Sequence, residues 1–319
     1  MAKEVTTNNL AYVPKKQSAA LIFKKNWMLL ALAAPMIVYL AIFRYGPMFG
    51  IILAFKSYDY QGGIIGSDWT GLYNFEFFFK SESFTIVVRN ALMYNAIGIF
   101  LATATSILLA LLLFELTNKI AIRFYQTFMF IPHLLSWVVV AYMVYAFLSP
   151  THGMLKGLYE SLGLTYVDWY SQEIKWIFIL PIAHIWKGCG MSALIYYSSL
   201  LGIDSEYFEA ASLEGATRPQ IARYITLPFL YPTISILTIM SIGKIFNSDF
   251  GLFYQLPKGS PLIRNTTDVI ETYTYRAFYE DQNIGQSSAV GLVQSIVGLV
   301  LVTITNTIVK AVDPERALF

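Results

Sequence analysis

The sequence predicts an all-α membrane protein that crosses the bilayer six times, and three observations carry that class. Of its 319 residues, 56% are hydrophobic and only 13% are charged, whereas soluble domains carry about 25% charged residues. Six apolar segments recur along the chain, each near the length of about 20 residues that spans roughly 30 Å of hydrocarbon at about 1.5 Å per residue. Lipid cannot satisfy an open backbone, so each such segment is expected to close into a helix. A net charge of +2 is too small to imply nucleic-acid binding, and the single Cys189 excludes a disulfide framework. Lying in an apolar run, Cys189 reads as a small buried hydrophobe.

Taken in order, residues 1–25 form a polar tail with Lys3, Lys15, Lys16, Lys24 and Lys25 against Glu4 alone. No cleavage pattern of small residues follows, so the tail is not read as a signal peptide. Its first part is expected to be disordered, and its charge assigns it to the cytoplasmic side. The first span runs from about Trp27 to Phe43, with an apolar continuation to Phe55, and Pro35 and Pro47 are candidate kinks. The second covers about Ala91–Phe114, the third Phe124–Leu148 with Pro132 inside, and the fourth Ile174–Leu200 with Pro181 inside. The fifth covers Phe229–Phe246 and the sixth Ala289–Val309. This divides the chain into a tail at 1–25, a membrane region at 26–310 and a short cytoplasmic tail at 311–319.

Alternation then puts residues 44–90, 149–173 and 247–288 outside, and 115–123, 201–228 and 310–319 inside. The inside pieces with the tail hold 11 basic and 8 acidic residues, against 11 and 12 elsewhere, a bias of the expected sign. The outside piece at 56–84 is rich in rings, among them Tyr58, Tyr60, Trp69, Tyr73, Phe75, Phe77, Phe78 and Phe79. Two readings are open for it: rings lying in the membrane interface, or a platform on which sugars stack.

The loop at 201–228 is a polar island among apolar runs. Asp204 is a suitable N-cap, Ile203 and Phe208 have the spacing of a hydrophobic staple, and Glu206 and Glu209 sit near the positive end of the helix dipole. Ala210 and Ala211 favour helix with little bulk, and Gly215 suits the left-handed stop. A helix over 204–214 follows. Thr217 and Pro219 suit the start of a second short helix, and Pro228 and Pro232 mark a turn into the next apolar run. A stiff helix with a small-residue face is built for docking into a groove, or else it lies on the protein's own surface.

Written as a pattern, Glu209-Ala210-Ala211, Gly215, Ile225, Leu227 and Pro228 make E-A-A-x3-G-x9-I-x-L-P, which resembles the EAA loop of ABC importer permeases. The wider chain is similar to the sugar-type, maltose-importer-like permeases. It looks closest to the subgroup that imports larger oligosaccharides in Gram-positive bacteria. Pro47-Met48-Phe49-Gly50-Ile51, Trp69-Thr70-Gly71-Leu72-Tyr73-Asn74-Phe75, Ile131-Pro132-His133 and Thr267-Asp268-Val269-Ile270-Glu271-Thr272-Tyr273 carry that similarity. The resemblance implies a type I ABC importer permease fold in a bacterial cell membrane, with both termini cytoplasmic. It also implies a second homologous permease, two ATPase subunits, an extracellular solute-binding protein and an oligosaccharide substrate, within membrane lipid. Glu209 would make a polar contact to the ATPase, Ala210 and Ala211 the close packing, and Gly215 the bend. The chain itself is then not an enzyme and needs no cofactor. ATP and Mg would sit on the partner ATPase, since no G-x4-G-K-[ST] phosphate loop is present here.

Polar and aromatic residues within the spans are candidates for a substrate path, because sugar hydroxyls need donors and acceptors and pyranose faces stack on rings. The candidates are Asn95, Trp137, Tyr142, Trp186, Asn247 and Asp249. Lys244 and Asp249 also have the spacing of a snorkelling pair at a membrane edge. His133, His152 and His184 lack metal-ligand spacing and are assigned packing or surface roles. A membrane-embedded glycosyl or lipid transferase would need clustered carboxylates or histidines, and none is visible. An ion-driven secondary transporter would favour charges in mid-span, and these spans hold few.

Overall fold

The computed structural model describes residues 19–312. The reading of the N-terminal tail as disordered falls mostly outside the described residues, as does most of the C-terminal tail. The chain divides into two compact units, one ending at Ile51 and one starting at Ile52.

The first unit is a helix, Ala19–Leu40, with a kink at Asn26 (φ −111°, ψ 17°) and Pro35 inside it. It continues as a π turn at Ala41–Tyr45 and then a 3-10 helix that starts at Gly46. Together with the first residues of the second unit it makes a candidate span, Lys25–Phe55, of 31 residues. The π turn ends two residues before Pro47. Proline donates no hydrogen bond and crowds the carbonyl four residues back, so the helix widens ahead of it. The same happens twice more: π turns at Ala222–Thr226 and Gly251–Gln255 end two residues before Pro228 and Pro257.

Within the second unit, four continuous helices are long and apolar enough to cross a membrane: Glu82–Phe114, Glu173–Leu200, Arg218–Ile242 and Ile284–Ala311. These match the second, fourth, fifth and sixth expected spans, with earlier starts. The third departs from expectation. Instead of one helix over 124–148 there are two, Lys119–Leu134 and Trp137–Leu148, bent by 94°. Leu135 and Ser136 are extended, and Ser136 Oγ accepts from Val139 N at 3.3 Å as an N-cap of the second arm. Pro132, in the last turn of the first arm, cannot support a continued ladder, so cap and proline together end one helix and start another.

The helices at 82–114 and 173–200 form the central pair. Ala110, Leu113, Tyr196, Leu200 and Leu230 pack near the end that leads into 201–228. Tyr94, Val140, Trp176, Leu180, Leu252, Phe253 and Leu256 pack near the other. Ser106 Oγ donates to Cys189 O at 3.0 Å between the pair. In lipid such contacts hold helices together through dispersion and hydrogen bonds rather than hydrophobic burial. Cys189 is half-buried.

The segments expected outside are folded rather than loose. Lys56–Ser57 pairs antiparallel with Asp68–Trp69, in register Lys56 with Trp69. The buried Lys56 ammonium donates to Ile64 O at 2.9 Å and Ile65 O at 2.7 Å. A helix follows at Tyr73–Lys80, in which Phe78 is buried while Tyr73, Phe77 and Phe79 stay exposed. Between the fifth and sixth spans a helix at Ile270–Tyr279 packs on the second and sixth. Its base is an ion pair between the half-buried Arg276 and the buried Asp268, Nη2 to Oδ2 at 2.5 Å. Asn90 Nδ2 donates to Asp268 O at 2.8 Å and Arg89 Nη2 to Asn265 O at 2.6 Å, tying this layer to the second span.

Candidate functional site

The loop at 201–228 forms the helix its capping residues predict, Ser205–Leu213. Asp204 Oδ1 accepts from Glu206 N at 3.2 Å. At the other end Gly215 has φ +78°, Ala216 N donates to Ala211 O at 3.0 Å and Gly215 N to Ser212 O at 3.1 Å. That double bond pattern is a Schellman stop, which needs the left-handed residue glycine supplies. A Cβ at 215 would meet nothing within 4 Å, so conformation alone demands the glycine.

The second part of the loop differs from expectation. The short helix at Arg218–Ile221, with Thr217 and Gln220 as its capping box, runs on through the π turn into the fifth span. Pro228 and Pro232 therefore do not turn the chain. Pro228 falls in a first helical turn, where its missing N–H costs little, and the π turn before it absorbs the ring.

The back of this knuckle is fastened to the spans. The Phe208 ring lies 5.5 Å from Phe114 and Tyr207 lies 5.3 Å from Phe229, centroid to centroid. Arg218 Nη1 pairs with Glu115 Oε2 at 2.8 Å. Its front is open. Glu209, Ala210, Gly215 and Pro228 are exposed, Ala211, Ile225 and Leu227 are half-buried, and Leu213 is 90% exposed.

A cavity of about 450 Å3 lies among the second, fourth and fifth spans and the first arm of the broken third. Asn95, Asn247, Lys244, Ser192, His133 and His184 are on its wall. A small cavity of about 20 Å3 adjoins it through Asn95, Gly98 and His184, and Asp249 lines it. Asn95 Nδ2 reaches Ile245 O at 2.8 Å and Ser248 Oγ at 3.0 Å, bracing the chain where the fifth span ends. Asp249 Oδ2 accepts from Trp137 Nε1 at 2.5 Å, and its Oδ1 accepts from Gly251 N at 2.9 Å and Leu252 N at 3.4 Å. The indole fits there because residue 251 is glycine: a Cβ would stand 2.8 Å from Trp137 Cγ.

Of the six path candidates, the structure thus gathers Asn95, Asn247, Asp249 and Trp137. It does not gather the other two. Trp186 lines a separate apolar groove with Val140, Met143, Phe147 and Ile182. Tyr142 lies with Tyr145 beside Lys258, whose ammonium is 5.3 Å and 3.6 Å from the two rings. A ring on a helix faces wherever rotation puts it, and composition does not report rotation. Lys244 and Asp249 form no ion pair among the described residues. The carboxylate is held by the indole instead.

His133 and His184, assigned to packing or surface, stand on the cavity wall. Lys187 Nζ donates to His133 O at 3.0 Å and lies 5.2 Å from the Trp137 ring. Their signal in the sequence was depth: a polar side chain within an apolar run faces protein or water, not lipid. Glu271, also passed over as a site, is a second polar node. Its Oε1 accepts from Ser248 N at 2.7 Å and Gln294 Nε2 at 2.6 Å, while its buried Oε2 has no partner. Burial, with help from the charge of Asp249, pushes this carboxyl up to about 7.

Comparison with known proteins agrees with this architecture. The family of binding-protein-dependent transport system inner membrane components matches residues 95–317. Protein LplB of Bacillus subtilis (strain 168) is 32% identical over 95% of this chain and 98% of its own. The polygalacturonan/rhamnogalacturonan transport system permease protein YteP of the same organism is 32% identical over 88% and 87%. A chain from the crystal structure of a bacterial ABC transporter involved in the import of the acidic polysaccharide alginate superposes with a TM-score of 0.83. It is 31% identical, over 92% of this chain and 99% of that one. A chain of the alginate transporter in complex with an alginate pentasaccharide-bound periplasmic protein does so equally, over 93% and 98%. The chain belongs to the family of binding-protein-dependent transport system inner membrane components.

Proposed function

We propose that the knuckle at 201–228 is the docking element for an ATPase subunit and that the polar cavity is this subunit's share of the substrate path. Glu209 then makes the polar contact, Ala210 and Ala211 allow close approach, and Gly215 sets the bend. Ile225, Leu227 and Pro228 seat the loop on the fifth span. The complex would contain a second homologous permease and two ATPases carrying ATP and Mg, with an extracellular binding protein delivering the oligosaccharide. The knuckle, and with it both termini, would face the cytoplasm of a bacterial cell. ATP-driven closure of the ATPases would push the knuckle, and the spans would rock between inward- and outward-open forms.

One observation supports this reading above the others: the knuckle is bolted to the second and fifth spans at its back while its front is unspent. A helix that only covered its own protein would bury a face of its own. The test is Glu209→Lys. It should reduce co-purification of the ATPase several-fold, by analogy with reversing a rim charge at an interface, while the permease still inserts. Unchanged co-purification would sink the docking role.

A further inference from the structure

The strand pair Lys56–Ser57 and Asp68–Trp69 closes a loop whose tip, Gly63–Gly66, is a single helical turn. Ile65 on that turn is 93% exposed, and Ile64 and Trp69 are exposed as well. Lys56, itself buried, gathers all three. Its ammonium is 2.9 Å from Ile64 O, 2.7 Å from Ile65 O and 5.3 Å from the centre of the Trp69 ring. Among the described residues it forms no ion pair. Carbonyls on a turn that faces water are satisfied by water. Burying an ammonium with no carboxylate beside it, in order to satisfy two of them, is costly. The arrangement is favourable where water is missing and backbone groups need partners within the chain, as they do in lipid.

The hairpin also stands at the edge of a span. Asn74 Nδ2 donates to Ala54 O and Lys56 O, each at 3.0 Å. Both partners press on the first turn of the sixth span, Ile284–Ala311: a Cβ at Gly285 would lie 2.7 Å from Asn74 Nδ2 and from Lys56 O. One lysine side chain joins this base to the tip, so the tip folds back beside the edge instead of standing away from it. The headgroup layer on each side of the hydrocarbon is about 5–8 Å deep, a depth of the same order as that reach. Tryptophan favours the headgroup level, and isoleucine the acyl boundary beneath it. We propose that this tip is a lipid anchor. Ile64, Ile65 and Trp69 sit in the membrane interface at the end of the spans remote from the knuckle, and Lys56 satisfies the carbonyls that water would otherwise serve. Of the two readings open for the ring-rich piece at 56–84, the hairpin takes the interface.

The test uses the full importer in proteoliposomes, in a Cys189→Ala background, with a nitroxide label on Ile65→Cys or on Glu160→Cys. Glu160 is exposed on the helix Met154–Ser161, at the same end of the spans. Power saturation compares collisions with oxygen, which concentrates in lipid, and with a nickel chelate, which stays in water. The oxygen-to-nickel ratio at residue 65 should exceed that at residue 160 several-fold. Lys56→Met should bring the ratio at 65 down toward that at 160, because the two freed carbonyls draw the tip back to water. Equal ratios at 65 and 160 with Lys56 in place would overturn the anchor. So would a label at 65 shielded from both reagents, or shielded only once the binding protein is added, since either result marks a protein partner. An unchanged ratio in Lys56→Met would overturn the role given to its ammonium. If Lys56→Met does not insert, the comparison of 65 with 160 decides alone.

Discussion

The knuckle at 201–228 and the polar layer at the far ends of the spans are built on opposite rules. In the far layer nearly every polar group is engaged within the chain. Asp268 holds Arg276 and Thr272, Asn90 holds the carbonyls of Asn265 and Asp268, and Gln294 holds the Phe246 carbonyl and Glu271. In the knuckle, the groups that match the family pattern have few such partners, and Gly215 has open space around it. Internal satisfaction makes a rigid brace, because a buried polar group left unpaired is expensive. Unspent groups on a fastened helix make a surface ready for someone else. Mutations should therefore act on folding at one end and on coupling at the other.

The largest effect is expected in the far layer. Asp268→Ala leaves the half-buried Arg276 without its partner and should cost about 3 kcal/mol, the low end of the scale for breaking one half of a buried pair. It would be read as a drop in the thermal midpoint of the detergent-solubilised protein. The double variant Asp268→Leu with Arg276→Met should recover part of the loss. An Asp268→Ala protein as stable as wild type would erase the contrast between the two regions.

Gly215→Val comes next and should lower that midpoint less than Asp268→Ala does. It forces a β-branched residue to φ +78°, a conformation that costs an L-residue about 1–2 kcal/mol or more. The stop then shifts and the knuckle re-aims. ATP-driven import should fall by roughly tenfold, if that cost falls on the coupled state. Normal import by this variant would break the coupling half of the comparison.

The smallest effect sharpens the boundary between the regions. The Glu271 carboxyl lies near 7 in the folded protein against an ordinary 4.5. The folded state thus holds a proton that the unfolded state has released between those values. The contribution of this group is complete below about 4.5 and is lost as pH rises through about 7. Glu271→Gln should flatten this part of a stability-against-pH curve. An unaltered slope would show that the carboxyl is not the titrating group.

Several features could be read from residues alone because their physics is local. Asp204 and Gly215 delimit a helix by capping and by handedness, and neither needs a neighbour to do so. The apolar runs specify spans because the bilayer imposes their length. The break at Leu135–Ser136 was also local, and the apolar run concealed it. Hydropathy is continuous through Trp137–Leu148, so a serine cap four residues after Pro132 passed as one polar position in a helix.

Chain order determined five of the apolar helices long enough to cross a membrane and the place of the exposed knuckle between two of them, since these follow from hydropathy and caps. Only the folded protein decided which polar side chains share a cavity. Asn95 and Asp249 stand 154 positions apart in sequence, yet they line one small space, while Trp186, within three residues of His184, faces away from it. The reason is rotational: a turn of helix places neighbours on different faces, and packing between helices selects which face looks inward.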